Sequence, residues 1–342
     1  MRFADGTVWD VPKLFSLVTN SQASEGNDTI LGYRWDDTID GLGGDDTIDG
    51  SLGNDTVSGG AGSDTLTGDG GNDALSGGDG NDTLYGNRSG VDAIGDDTLI
   101  GGRGRDTLIG SLGNDTYRFN RGDGDDTIVD TGGNDTLRLS AGVLPQQVTL
   151  YRISHKFGVG DDLVVVLDAG ADQIWIEGYF APNGTQAVEQ IVFEDPNGAT
   201  WDAAAIQSKA IVVGTPNTVN GTTGNDTFTV DHVDDVINEG VNSSIDTVRS
   251  SVSYMLGANL ENLTLTGVLN LNATGNALNN VLTGNSGDNQ LYGMGGTDTF
   301  AGGAGDDDYY LAQLQFQWTV TEAANQGNDT SMRTPASRSR PT

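Results

Sequence analysis

The sequence predicts an all-β fold, in which a parallel β-roll of nonapeptide repeats is followed by a small antiparallel β module and a second, degenerate β-roll or β-helix array. Three observations lead to this prediction. Glycine supplies 52 of the 342 residues, and all but seven of the 49 acidic residues are aspartate; both residue types favour turns over helices. An Asp-Thr-aliphatic pattern returns every nine residues in the first part of the chain. Alternating strand patterns with Pro-Asn-Gly turns follow it.

The charge of the chain limits its partners. With 16 basic and 49 acidic residues, the formal net charge is −33, which argues against nucleic acid or an anionic membrane surface and favours cations as the partner. The chain has no cysteine, so disulfides, thiolate zinc sites and cysteine nucleophiles are excluded. It contains no apolar stretch long enough to span a membrane, and its first 13 residues lack the apolar run of a cleaved signal peptide.

The first segment, residues 1–25, is interpreted as the tail of an upstream β module plus a linker. The residues from Phe3 to Asp10 repeat the pattern that ends a later module at 193–202. We therefore expect the chain to belong to a larger array, or to have its start placed too late.

The repeat block is predicted over residues 26–139. Glycine normally stands two positions before each frame aspartate and an apolar residue two positions after it, as in the segment 59–67, GGAGSDTLT. Six residues are inserted around 87–92, and two more are inserted further on. The frame aspartates are Asp28, Asp37, Asp46, Asp55, Asp64, Asp73, Asp82, Asp97, Asp106, Asp115, Asp126 and Asp135.

Each unit has the composition of a cation-binding turn followed by a short strand. Glycines allow tight or left-handed backbone conformations that direct carbonyl groups toward one point, and the aspartate adds negative charge there. Calcium accepts about six to eight oxygen ligands from carboxylates and carbonyls. Because two units bring a flat coil back on itself, 18 residues make one turn, and the carboxylates should form two columns with ions between successive members.

The alternative interpretation is that these aspartates are solvated turn residues. It applies most to three members of the frame. Asp37 follows the bulky Trp35 instead of a glycine, and Asp97 and Asp126 flank insertions, so each is a candidate for a weak or lost site.

The pattern Gly-Gly-x-Gly-x-Asp-x-aliphatic-x resembles the RTX, or haemolysin-type, calcium-binding repeat. The resemblance implies a right-handed parallel β-roll that binds several Ca²⁺ ions between consecutive turns. It also implies one-step type I export from a bacterium as an unfolded chain, so a secreted, extracellular or cell-surface location is expected. A basic tail with Arg333, Arg338 and Arg340 stands where such an export signal is expected.

The small antiparallel module is predicted over residues 140–206, and it resembles the β module that often follows RTX repeats. Glycine becomes rarer there, and turn signals separate four strand patterns at 148–153, 163–167, 173–180 and 189–195. Residues 207–223 have the composition of a linker.

The degenerate array is predicted over residues 224–311. Its frame offers Asp226, Asp298 and Asp307 as candidate calcium ligands, but Asn280 and Asn289 stand at other frame positions. Neutral asparagine lowers the ligand charge, so we expect weak or absent calcium sites near 275–292 and favour asparagine ladders that hold this roll together without metal. Residues 312–342 are interpreted as a partial repeat with a disordered tail.

The sequence approaches two catalytic motifs but completes neither. His155 and His232 do not form the H-E-x-x-H zinc motif, and the segment 284–288 departs from G-x-S-x-G at its last residue. We therefore predict a non-catalytic, monomeric calcium-binding module that acts as a calcium-triggered folding unit or spacer. Two alternatives stay open: an accessory module of an RTX enzyme or toxin (protease, lipase or alginate epimerase) with its catalytic domain upstream, and part of a repeat adhesin or surface-layer protein with further copies of the same modules.

Overall fold

The computed structural model describes residues 23–88, 94–153, 161–168, 172–181, 187–196, 198–241, 244–310, 319–320 and 330–331. The interpretation of residues 1–22 as part of an upstream module and the expected disorder of the tail after residue 331 lie outside the described residues. The chain divides into two compact units, and the boundary between them lies between Ile211 and Val212. Each unit is described by itself.

In the first unit every nonapeptide contributes one strand, which begins at the residue after the frame aspartate or close to it. The strands are β1 (Thr29–Leu31), β2 (Thr38–Asp40), β3 (Thr47–Leu52), β4 (Thr56–Ala61), β5 (Thr65–Gly70), β6 (Ala74–Asp79), β7 (Thr83–Tyr85), β8 (Thr98–Arg103), β9 (Thr107–Ile109), β10 (Thr116–Phe119), β11 (Asp125–Val129) and β12 (Thr136–Leu139).

Odd-numbered and even-numbered strands of this block form two separate parallel sheets. Ile30 lies beside Ile48 in one sheet, and Ile39 lies beside Val57 in the other. Each strand therefore pairs with the strand two repeats later, which confirms the β-roll. The insertion around 87–92 lengthens one coil without changing the stacking, because Leu75 still lies beside Leu99.

The apolar residue of each repeat fills the space between the two sheets. Burial of such a side chain contributes about 1.5–3 kcal/mol. These side chains are at most 2% exposed and form a ladder: Ile30, Ile39, Ile48, Val57, Leu66, Leu75, Leu84, Leu99, Leu108, Tyr117, Ile128 and Leu137.

A short 3-10 helix (Pro145–Gln147) and five strands continue this unit. The strands are β13 (Val148–Ile153), β14 (Asp162–Leu167), β15 (Asp172–Ile176), β16 (Gln190–Phe193) and β17 (Thr200–Asp202). Pairs β14/β15 and β16/β17 are antiparallel. However, β15 pairs in parallel with β11, and β16 pairs in parallel with β12. The region that the sequence presents as antiparallel hairpins thus also extends both sheets of the roll, because strand periodicity does not specify the pairing partner.

Helix α1 (Ala203–Lys209) closes the unit. The Asp202 side chain caps it by accepting the Ala205 N–H at 2.9 Å. Ile206 is its buried residue, and it packs into the same apolar core as the roll.

The second unit contains further parallel coils. Strand β18 (Ile211–Val212) lies at the junction between the units. The strands of the second unit are β19 (Thr218–Asn220), β20 (Thr227–Val230), β21 (Val236–Asn238), β22 (Thr247–Ser250), β23 (Tyr254–Met255), β24 (Asn262–Leu265), β25 (Asn272–Thr274), β26 (Val281–Thr283), β27 (Gln290–Tyr292), β28 (Thr299–Ala301), β29 (Asp308–Tyr310), β30 (Thr319–Val320) and β31 (Thr330–Ser331).

The even strands from β20 to β30 form one sheet, the odd strands from β23 to β31 form another, and β19 pairs with β21. Phe228, Val248 and Leu263 form a buried inner ladder of the kind seen in the first unit. Strand β19 lies within the segment interpreted as a linker, and it is in register with β21. Among the described residues, no helix has the length and apolar character needed to cross a membrane.

Candidate metal centres

The frame aspartates of the first unit stand in two columns along the edges of the roll. In each column the N–H of one aspartate donates to Oδ1 of the aspartate one coil later. Asp46 donates to Asp64, and Asp64 donates to Asp82, both at 2.8 Å. The first column contains Asp28, Asp46, Asp64, Asp82, Asp106 and Asp126. The second contains Asp37, Asp55, Asp73, Asp97, Asp115 and Asp135.

The carboxylate oxygens that do not take part in these bonds define the candidate metal centres. Eight Oδ2 atoms are buried and have no hydrogen-bond partner among the described residues, and their side chains are at most 2% exposed. A buried carboxylate oxygen without a partner is costly. These oxygens belong to Asp46, Asp55, Asp64, Asp73, Asp82, Asp106, Asp115 and Asp135.

In several repeats the first glycine lies close both to that carboxylate and to a main-chain carbonyl oxygen. A Cβ added to Gly41 would lie 2.3 Å from Asp46 Oδ2 and 2.5 Å from the carbonyl oxygen of Gly59, one coil later. The side-chain oxygen and the main-chain oxygen therefore meet at a position where only glycine fits. Carboxylate and carbonyl oxygens are the ligands that Ca²⁺ takes, so the residues present fit this ion.

Burial makes these carboxylates hard to ionise in the absence of a cation. The pKa of Asp55 and that of Asp82 are each raised to about 7, mainly by burial and also by the charges of neighbouring aspartates in the same column. The N–H bond that each receives lowers the pKa but does not compensate. A divalent cation placed between the carboxylates would reverse the sign of these interactions.

Three frame aspartates differ from these eight because their Oδ2 atom accepts a hydrogen bond. The second oxygen of Asp28 accepts from the Ser24 N–H at 2.6 Å, and that of Asp37 accepts from the Tyr33 N–H at 2.6 Å. Asp97 Oδ2 accepts from the Asn87 side chain at 2.7 Å. These carboxylates are less available to a cation than the eight described above.

Asp126, which flanks the second insertion, is affected most strongly by its surroundings. Its pKa is raised to about 9, first by burial and then by the charge of Asp106. Its Oδ1 accepts the Asp106 N–H at 3.1 Å, so the column is continuous at this point.

Sequence reasoning missed the residue that prolongs the second column. Glu189 lies just before β16, and its Oε2 accepts the Asp135 N–H at 2.6 Å. It therefore takes the position of the next aspartate, although 54 residues separate the two in the sequence. No local pattern marks Glu189, because its placement depends on the pairing of β16 with β12.

In the second unit a column begins at Asp226 and continues with acidic residues that the nine-residue frame did not reveal. Asp226 N–H donates to Asp246 Oδ1 at 2.8 Å, and Asp246 N–H donates to Glu261 Oε2 at 2.9 Å. Both oxygens of Asp226 also accept hydrogen bonds from Thr222.

Further along this unit, asparagine replaces aspartate and supplies its own hydrogen-bond donor. Asn280 Nδ2 donates to the carbonyl oxygens of Leu260 and Glu261, both at 3.1 Å. Asn289 Nδ2 donates to the Leu271 carbonyl oxygen at 3.0 Å. Such amides connect successive coils without a metal ion.

The two remaining sequence-predicted ligands follow these asparagines in their columns. Asp298 Oδ1 accepts the Asn280 N–H at 2.9 Å, and Asp307 Oδ1 accepts the Asn289 N–H at 2.8 Å. Burial raises the pKa of Asp298 to about 6. Each of these aspartates therefore has a neutral asparagine as its neighbour in the column, where the columns of the first unit have another aspartate.

Comparison with known proteins agrees with this geometry. The RTX calcium-binding nonapeptide repeat (4 copies) matches residues 22–57, 58–88, 93–123, 120–143 and 274–309. The haemolysin-type calcium binding protein related domain matches residues 162–205. None of the curated protein sequences is a match.

Among solved structures, the chain is similar to the extracellular lipase LipA from Serratia marcescens, with 17% sequence identity and a TM-score of 0.24. The similarity covers 75% of this chain and 34% of the lipase chain, so the chain spans about a third of that protein. The matches to the nonapeptide repeat fall on coils whose aspartates form the columns, and the match to the related domain falls on the strands β14 to β17 that follow them. The chain is thus a member of the RTX, or haemolysin-type, calcium-binding repeat proteins.

Proposed function

We propose that the aspartate columns bind several Ca²⁺ ions and that this binding folds the roll, so that the chain acts as a calcium-triggered structural module. The observation that carries the proposal is the set of eight buried Oδ2 atoms without hydrogen-bond partners. For Asp46, Asp64 and Asp82, this oxygen lies close to the same glycine position as a glycine carbonyl oxygen of the next coil. In the second unit the proposed ligands are Asp226, Asp298 and Asp307. Their columns carry less negative charge than those of the first unit.

Electrostatics explain why the metal-free roll would be unstable. Neighbouring parallel strands are about 4.8 Å apart, and two carboxylates about 5 Å apart at an effective dielectric of about 20 repel by about 3 kcal/mol. This repulsion recurs along both columns. Calcium converts it into attraction, and its binding free energy contributes to folding because the unfolded chain contains no such site.

Calcium control of folding suits a chain that leaves the cell before it folds. Extracellular modules bind Ca²⁺ with dissociation constants of about 10⁻⁴–10⁻³ M, far above the calcium concentration of the cytosol. The chain would remain unfolded inside the cell and fold outside it. We therefore propose a secreted or cell-surface location, with type I export as the route that the family suggests.

The test is a calcium titration of the full chain, followed by far-UV circular dichroism. The chain is first placed in excess chelator, and magnesium at the same concentrations serves as the control. We expect β-structure to appear cooperatively with calcium and not with magnesium, because Mg²⁺ binds poorly to carbonyl-rich, flexible sites. Complete β-structure in chelator would overturn the proposal.

A further inference from the structure

The coil from Asp115 to Asp135 carries a carboxylate where the regular coils have a glycine. It spans 20 residues. Strand β11 pairs with β9 up to Val129 and Ile109, so Asp130, the next residue, lies beside Gly110 of the preceding coil. In the regular coils the residue at this place is a glycine, such as Gly59 beside Gly41. Asp130 thus adds a charged carboxylate at a position where the regular coils have a glycine, which can contribute only its neutral main-chain carbonyl oxygen.

Several oxygens converge at Gly110. A Cβ added there would lie 2.3 Å from Asp115 Oδ2, 2.6 Å from Asp130 Oδ2 and 2.2 Å from the hydroxyl oxygen of Tyr117. Oxygens of Asp115, Asp130 and Asp135 lie within 4.8 Å of one another. One Ca²⁺ ion, with ligands at about 2.3–2.6 Å, can contact oxygens at such separations.

Tyr117 connects this cluster to the main chain. Its hydroxyl accepts the Gly110 N–H at 3.0 Å and donates to Asp130 Oδ2. The ring is buried in the core between the two sheets. The tyrosine therefore holds Asp130 in place and lies beside any ion that Asp130 binds.

Two of the three carboxylates present a buried oxygen with no partner to this cluster. Asp115 is 1% exposed and Asp135 is 0% exposed, and Oδ2 of each lacks a hydrogen bond. Their Oδ1 atoms are held by the N–H groups of Asp97 and Asp115, at 2.8 and 2.7 Å. The direction of each Oδ2 is therefore fixed by the main chain of the preceding coil.

We propose that Asp115, Asp130 and Asp135 form a three-carboxylate cation site, distinct from the sites of the regular coils, that binds Ca²⁺ and trivalent lanthanides more tightly than they do. The affinity of an oxygen site for Ca²⁺ rises with the number of charged ligands, and an ion of higher charge gains more from the third carboxylate. The inference rests on the proposed function only in assuming that the columns bind calcium.

The same placement occurs in the second unit, in a coil of the same length. Strand β21 pairs with β19 up to Asn238 and Asn220, so Glu239, the next residue, lies beside Gly221. Its carboxylate is grouped with those of Asp226 and Asp246, again within 4.8 Å. An acidic residue directly after the middle strand thus accompanies a 20-residue spacing between frame aspartates in both units.

The experiment uses terbium as the probe, because excited tyrosine transfers energy to a Tb³⁺ ion bound close by. The full chain is titrated with Tb³⁺ in calcium-containing buffer, and the emission that the Tyr117→Phe variant loses is assigned to this site. Phe228 occupies the position equivalent to Tyr117 in the second unit, so a phenyl ring fits such a coil. We expect Asp130→Asn to raise the Tb³⁺ concentration for half-saturation of this component roughly tenfold or more.

Two variants serve as comparisons. Asp79→Asn removes the same charge from an exposed aspartate of the same unit and should leave the titration unchanged. Asp130→Gly restores the glycine of the regular coils and should reduce the site to their affinity while the calcium-dependent circular dichroism persists. If Asp130→Asn and Asp79→Asn give the same curve, the site is overturned although the columns still bind calcium. If the unaltered chain binds no calcium, the proposed function fails as well.

Discussion

Replacement of Asp55 by asparagine should have opposite effects on stability with and without calcium. Asp55 lies in the middle of the second column, is 1% exposed, and accepts the Asp37 N–H at 2.7 Å through Oδ1. Asparagine keeps this acceptor and removes the charge. The chain itself shows that the amide is tolerated, because Asn280 and Asn289 occupy equivalent positions in the second unit.

The magnitude follows from the raised pKa. Burial raises the pKa of Asp55 from 3.8 to about 7, so its ionisation above pH 7 costs the metal-free fold on the order of 4 kcal/mol relative to the unfolded chain. The new amide hydrogens lose about 1–3 kcal/mol if they find no acceptor. Asp55→Asn should therefore stabilise the metal-free roll by about 1–3 kcal/mol at pH 8. In calcium it removes one of the proposed charged ligands, so it should raise the calcium midpoint roughly tenfold.

The assay is far-UV circular dichroism of the full chain at pH 8. In chelator, folding is driven with trimethylamine N-oxide, which strengthens burial by its exclusion from protein surface, and the midpoint should move to lower osmolyte concentration. In calcium, the midpoint should move to higher calcium. Asp79→Asn is the matched control and should change neither. Destabilisation by Asp55→Asn under both conditions would refute the reasoning, since Asp55 would then act through hydrogen bonds alone.

Three further predictions concern pH, packing and the second unit. In chelator, the carboxyl groups with raised pKa values stabilise the fold only while they are protonated. Circular dichroism should therefore show β-structure near pH 4–5, and this β-structure should be lost as the pH rises through about 6–8. The pKa values of Asp73, Asp82 and Asp97 lie in that range. Gly59→Ala would place a Cβ 2.2 Å from Asp64 Oδ2 and should weaken calcium binding in calorimetry, whereas Gly26→Ala meets only ordinary contacts and should not. Asn280→Asp replaces an amide that donates to two carbonyl oxygens by a carboxylate. In chelator the midpoint of thermal unfolding should fall by about 4–8 °C, as expected for a loss of about 1 kcal/mol in a small domain. Calcium should restore the original midpoint.

The sequence allowed prediction of the first unit's coils because each nonapeptide repeats one geometry. A frame aspartate, a threonine and an aliphatic residue specify where a strand begins and which side chain points inward, as Leu66 does between Asp64 and the next turn. The six-residue insertion did not disturb this, since Asp73 and Asp97 still meet across the longer coil at 2.8 Å. A local pattern suffices where neighbours in space are also neighbours in the repeat.

The parts that could not be predicted depend on contacts between segments without a common repeat. Glu189 joins the second column only because β16 stacks on β12. Asp130 and Glu239 do not occupy the frame aspartate position, and their significance appears only when the strand register shows which glycine lies beside them. Charge and spacing alone gave no reason to separate them from the many solvated acidic residues of the chain.

The hydrogen bonds of the columns also explain why calcium sites in this roll should not act independently. Asp64 accepts from Asp46 and donates to Asp82, so a carboxylate that shifts to meet an ion also moves an N–H donor of its own coil. Stability in a stacked repeat is the sum of each coil's own stability and its contacts with its neighbours. An ion bound at one coil therefore orders the ligands of the next, and filling should be cooperative along a column. The amide of Asn280 interrupts this dependence, because it supplies its own donor to the carbonyls of the preceding coil. If the first unit depends on calcium as proposed, the same backbone coil is held by ions there and partly by asparagine amides in the second unit.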